Sequence, residues 1–153
     1  MPEVAEQLQY HVHSHLDVFI NGRKVRIPAG IGIDIHGSDV HEFPMPDGSI
    51  AYGGIAHGCK KPCISSLHTH DDTGILHTET RTPTPNTLGQ FFVEWGVRLS
   101  KTCIGSYCKR VQFWVNGRRY LRDPRNILLA DKTEIAIVVG AAPKKIPSKF
   151  PTA

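Results

Sequence analysis

Tyr10-His11-Val12-His13-Ser14-His15-Leu16-Asp17-Val18-Phe19-Ile20-Asn21-Gly22-Arg23-Lys24-Val25 decides how this chain folds. Side chains alternate across a strand, so Val12, Leu16, Val18 and Ile20 share one face of residues 10–20. His11, His13, His15 and Asp17 share the other. Asn21-Gly22 is the residue pair of a type I′ turn, whose central residues both take positive φ. Pairing across that turn sets Val18 opposite Val25 and Leu16 opposite Ile27. The register buries the even-numbered residues and leaves three imidazoles on the reverse of the strand.

A second stretch repeats the pattern: Leu67-His68-Thr69-His70-Asp71-Asp72-Thr73-Gly74-Ile75-Leu76-His77-Thr78-Glu79. With residues 71–74 as its turn, His70 pairs with Ile75, His68 with His77, and Ser66 with Glu79. Directly opposed residues share a face with Cβ atoms roughly 5 Å apart. His68, His70, His77 and Glu79 therefore converge, while Leu67, Thr69, Leu76 and Thr78 take the opposite face. These two stretches hold six of the nine histidines. The other three, His36, His41 and His57, lie in loop sequence and read as surface or hydrogen-bonded residues.

Neutral imidazole is the commonest metal ligand among side chains, and imidazole sets suit zinc, copper, iron or nickel more than magnesium or calcium. Two arrangements follow. In one, His68, His70 and His77 bind the metal and the first strand adds a partner or a fourth ligand. In the other, His11 and His13 join them in a joint or dinuclear site, with His15 the doubtful member. Copper or zinc is favoured, with iron also within reach. Three protein ligands leave a position for water or a small-molecule substrate, as in catalytic sites. Hydrolysis and oxygen activation both fit such a centre. Glu79 is a candidate ligand, orienter or general base. Asp71 and Asp72 suit the turn itself, Asp71 being better placed to support a histidine and a candidate catalytic residue with Glu79. There is no G-x-S-x-G elbow and no phosphate-cradling glycine loop.

The remaining chain is mostly β. Residues 28–62 read as a long Gly- and Pro-rich loop that is expected to cover the histidine face. Residues 80–86 form a linker. Residues 87–95 give the one helix, with Thr87 and Gln90 as a capping box and Leu88, Phe91, Phe92 and Trp95 as its buried stripe. Gly96 ends it. Strands are expected at 111–115, 118–121 (after the Asn116-Gly117 turn), 127–130 and 134–139. The expected fold is a single mainly β domain over residues 1–153, with extended tails at 1–9 and 141–153. It is a compact antiparallel barrel or sandwich with one packing helix, or alternatively a β-grasp-like α+β sheet.

The net charge is +4 and the pI about 9.0, but the basic residues are scattered without the aromatic-interleaved stripe of a nucleic-acid binder. No apolar run reaches the ~20 residues of a membrane-spanning helix, and the first residues lack the basic and apolar regions of a secretory leader. The four cysteines form two local pairs, Cys59/Cys63 and Cys103/Cys108, which match neither zinc-ribbon nor thioredoxin-like spacing. Disulfides are expected, in any of three connectivities, and with them a location outside the cytosol, periplasmic, secreted or membrane-anchored. Oligomeric state is not legible.

Several phrases occur together: His11-x-His13-x-x-Leu16, the Val25 to Ile33 run, Leu67-His68-Thr69-His70-Asp71, Gly74-Ile75-Leu76-His77-Thr78-Glu79, and Leu88-Gly89-Gln90-Phe91-Phe92-x-x-Trp95-Gly96. In this order they resemble a family of uncharacterised bacterial and archaeal proteins, many of them predicted to be exported or membrane-anchored. The resemblance spans residues 10–140 and implies a histidine site without naming a reaction. His11-Val12-His13 alone is similar to the copper strand of copper-zinc superoxide dismutases, but the other ligand spacings of that family are absent and its activity is not carried over.

Overall fold

The computed structural model describes residues 2–3, 10–54, 59–81, 83 and 85–152, so His57 lies outside the described residues. The early strands are β1 (Pro2–Glu3), β2 (Tyr10–Ile20), β3 (Arg23–Val25), β4 (His41–Pro44) and β5 (Ile50–Gly53). Next come β6 (Ile64–Ser65), β7 (Leu67–His68) and β8 (Ile75–Thr80), then helix α1 (Leu88–Trp95). The chain closes with β9 (Val111–Val115), β10 (Arg118–Tyr120) and β11 (Glu134–Val139).

One seven-stranded sheet dominates, in the order β10-β9-β11-β2-β8-β7, with β3 also paired to β2. The first hairpin forms as the Asn21-Gly22 turn requires, and Val18 faces Val25. β3 stops there, so Leu16 does not meet Ile27. The first half of β2 instead pairs with β8, placing His15 opposite Ile75, His13 opposite His77 and His11 opposite Glu79. The sheet is mainly β with one short helix, as expected, but it is mixed rather than wholly antiparallel. β11 runs parallel to β2, pairing Ile135 with Leu16 and Ile137 with Val18. A long connection that includes α1 lets two central strands run the same way, and the compact mixed sheet with its one packing helix remains consistent with the expected barrel- or sandwich-like fold.

The even-numbered face of β2 is the core face. Leu16, Leu76, Ile135 and Ile137 are fully buried there, and α1 lays Leu88, Phe91 and Phe92 across them. Thr87 and Gln90 form the expected capping box, and Gly96 closes the helix with φ 75°. Burying such side chains stabilises by roughly 1.5–3 kcal/mol each.

Two expectations need correction. Residues 28–62 are not structureless, because β4 and β5 pair as a hairpin within them. Residues 127–130 do not form a strand. Leu128 makes one bridge to Thr87, flanked by Leu88 N–H to the Ile127 carbonyl and Leu129 N–H to the Asn86 carbonyl, so the segment braces the helix start rather than joining a ladder. Near the start of the chain, β1 pairs with β6. Disulfides join Cys59 to Cys63 and Cys103 to Cys108. No helix among the described residues is long and apolar enough to cross a membrane.

Candidate metal centre

Registers alone bring the site together. β7 sets His68 opposite His77 and Leu67 opposite Thr78, and the Glu79 amide donates to the Ser66 carbonyl. β2 lies on the other side of β8. One row across the three strands therefore reads His13, His77, His68, and the next reads His11, Glu79, Ser66. The histidines and Glu79 point away from the helix because directly opposed residues share a face.

The rings are in contact. His68 and His77 stack in parallel at 5.3 Å between centroids, and His70 meets His77 edge-on at 4.5 Å. His13 meets His77 edge-on at 4.6 Å, with His11 4.6 Å from His13. Glu79 Oε1 sits among them, 3.2 Å from His11 Nε2, 3.5 Å from His68 Nε2 and 3.9 Å from His77 Nδ1. Two groups of donors are close enough to hold a metal ion: His68, His70, His77 and Glu79 in one, and His11, His13 and His77 in the other.

Backbone carbonyls fix the ring tautomers. His68 Nδ1–H donates to the Ser65 carbonyl at 2.8 Å and His70 Nδ1–H to the Tyr52 carbonyl at 2.7 Å. A carbonyl only accepts, so the proton is on Nδ1 in both and the Nε2 lone pairs are left for other partners. Metal-ligating histidines are held in the same way. His68 Nε2, His77 Nδ1 and Glu79 Oε2 are buried without a hydrogen-bond partner among the described residues. The Tyr52 amide also donates to the His70 carbonyl, so the β4–β5 hairpin does reach the histidine face, as expected of residues 28–62.

Electrostatics hold the cluster ready for a cation. Burial, reinforced by His70 and His68, pushes His77 down to about 2. Burial and His11 lower His13 as well. Burial works upward on Glu79, but the surrounding histidines outweigh it and hold the carboxyl below its usual range. His13 and His77 are thereby held neutral beside an ionised Glu79.

Of the residues expected in the site, His11, His13, His68, His70, His77 and Glu79 come together. Asp71 does not: its Oδ1 accepts from the Thr73 amide and hydroxyl, because an aspartate two residues ahead of a turn amide caps it. Asp72 is paired with Arg26 at 2.8 Å. His36 and His41 belong to none of the donor groups found among the described residues. His15, the doubtful member, enters a third group with Asp17 and Glu134. Glu134 was not anticipated, although a glutamate heading the otherwise apolar run Glu134-Ile135-Ala136-Ile137-Val138-Val139 is a signal of a buried charge with a purpose.

No family model, no curated protein and no solved structure matches the chain. The motif resemblance has no counterpart there, and the chemistry of the site rests on its own residues.

Proposed function

We propose that this chain is a metalloprotein that holds a transition metal, copper or zinc in preference to iron, in a cage of His68, His70, His77 and Glu79. His11 and His13 complete a second subsite that shares His77. The supporting observation is the pair of Nδ1–H donations to the Ser65 and Tyr52 carbonyls, which orient both rings and leave His68 Nε2 3.5 Å from the buried Glu79 carboxylate. Nothing in a purely structural role requires three imidazoles stacked on one glutamate, and buried polar atoms without partners are costly.

The working role is a small metal-dependent enzyme, oxygen-activating or hydrolytic. With the three imidazoles as ligands and Glu79 beside them as proton carrier, a coordination position is left for water or a small-molecule substrate. A rival role as metal carrier draws on the gradient of burial, from His68, with no exposed surface, to the His11 side chain at 34% exposure. Such a gradient offers an entry route for an ion. The two local disulfides favour an extracytoplasmic setting for either role.

Elemental analysis of tag-free protein, alongside the His68→Ala/His70→Ala double variant, tests the cage. Stoichiometric copper, zinc or iron in the parent and none in the variant, with the β circular dichroism retained, is the expected result. Equal metal content in both would overturn the assignment. Slow exchange against a chelator supports the enzyme, and rapid exchange the carrier.

A further inference from the structure

The third donor group lies farther along the same face of β2. The parallel register sets His15 beside Glu134, and Asp17 follows two residues on, so the three side chains share one side of the sheet. They are 4%, 1% and 3% exposed, respectively. His15 Nδ1 is 2.7 Å from Glu134 Oε2 and 3.3 Å from Asp17 Oδ2. Its other nitrogen, Nε2, donates to the Thr73 carbonyl at 2.8 Å. Because that carbonyl cannot donate, Nε2 carries the proton, and Nδ1 is turned toward two carboxylates. Only a proton or a cation lying between them makes that approach attractive.

We propose that His15, Asp17 and Glu134 form a second divalent-cation site, separate from the histidine cage and made of one nitrogen and two carboxylate donors. Three observations support it. Glu134 Oε1 is buried with no hydrogen-bond partner among the described residues, and an ion held by both oxygens of this carboxylate would give it one. The donor spacings of 2.7 and 3.3 Å are close to the about 3.0–3.4 Å that separates neighbouring ligands standing about 2.1 Å from one metal. The Thr73 carbonyl orients His15 as carbonyls orient His68 and His70.

The C-terminal tail roofs the site. Pro147, Phe150 and Thr152 line a cavity of about 590 Å³ with the three donors, and the Phe150 ring lies edge-on to His15 at 6.3 Å. The cavity has room for the waters that complete a coordination shell. Carboxylate-rich ligation is harder than an imidazole cage, so the site suits Mn²⁺ first and Zn²⁺ next, whereas the cage suits copper and zinc. The proposal stands independently of the cage.

The test uses Mn²⁺ as probe and the full chain carrying His68→Ala/His70→Ala, with bound ion read from the loss of the free Mn²⁺ paramagnetic resonance signal. Stoichiometric binding is expected. Adding Glu134→Gln should weaken it by more than the roughly 10–100-fold typical of losing an outer-shell partner, and Asp17→Asn provides a second variant if that one unfolds. His77→Leu replaces the double variant if the latter loses its sheet. Absence of Mn²⁺ binding overturns the proposal, as does affinity left unchanged by both carboxylate substitutions. Binding present in the parent but lost with His68→Ala/His70→Ala assigns the ion to the cage, overturning the second site while leaving the first intact.

Discussion

His77→Leu exchanges an imidazole for an apolar side chain of similar volume at the position both cage subsites share. In the metal-free protein His77 Nδ1 is buried without a partner, and relieving such an atom is worth about 1–3 kcal/mol. Against this stands the parallel stack on His68 at 5.3 Å, whose loss costs about 0.5–1.5 kcal/mol. The net is a gain of about 1 kcal/mol, or a rise of roughly 2–4 °C in Tm for a domain of this size. Metal has the opposite effect. At a hundredfold excess of free ion over Kd, the parent should gain about 2.7 kcal/mol, or roughly 5–10 °C. The variant should gain little. Differential scanning fluorimetry of both proteins, with and without Zn²⁺, reads all four states. A variant less stable than the metal-free parent, yet rising equally on loading, would refute the reasoning: His77 would then be a packing residue.

Acid should destabilise the metal-free protein through the same residue. The folded value of His77, about 2, lies below its ordinary 6.5, so the unfolded chain binds more protons once the pH drops below 6.5. Its contribution is fully present above that point and is lost as the pH falls toward 2; urea midpoints between pH 7 and 4 should decline more steeply in the parent than in His77→Leu. Gly74→Ala should cost about 2–5 kcal/mol in chemical denaturation, because φ there is +87° and a Cβ would collide with the Leu16 carbonyl oxygen. Replacing Cys103 and Cys108 together by serine opens a short covalent loop and should lower stability by about 2 kcal/mol, with metal content unchanged. Phe91→Ala, at a fully buried position under the sheet, should cost about 3–5 kcal/mol and be the most damaging of the set.

What the chain discloses by itself is local. The His68/His77 and Ser66/Glu79 alignments follow from counting outward from one turn, and the capping box around Thr87 from a four-residue motif. Both depend on neighbours within about a dozen residues, where geometry leaves few choices. The pairing of β2 with β8 and β11 depends on strands that meet from far along the chain, and nothing near His13 states that His77 will face it. The same distance hid Glu134, which reaches His15 across 119 residues of sequence. Asp71 illustrates the converse: its neighbours two residues on take up its carboxylate before any distant partner can.

β2 serves two chemistries from one face, since His11 and His13 belong to the cage while His15 and Asp17 belong to the carboxylate cluster. Parity therefore becomes a heritable constraint. An insertion or deletion of one residue within this strand would send Leu16, Val18 and Ile20 to the polar side and the donors toward Phe91 and Phe92, losing core and both clusters at once. A change of two would keep the faces but shift every donor by one rung against β8 and β11. In descendants of this chain, β2 should accept substitutions on its surface while its length stays fixed, and length variation should collect in the connections instead.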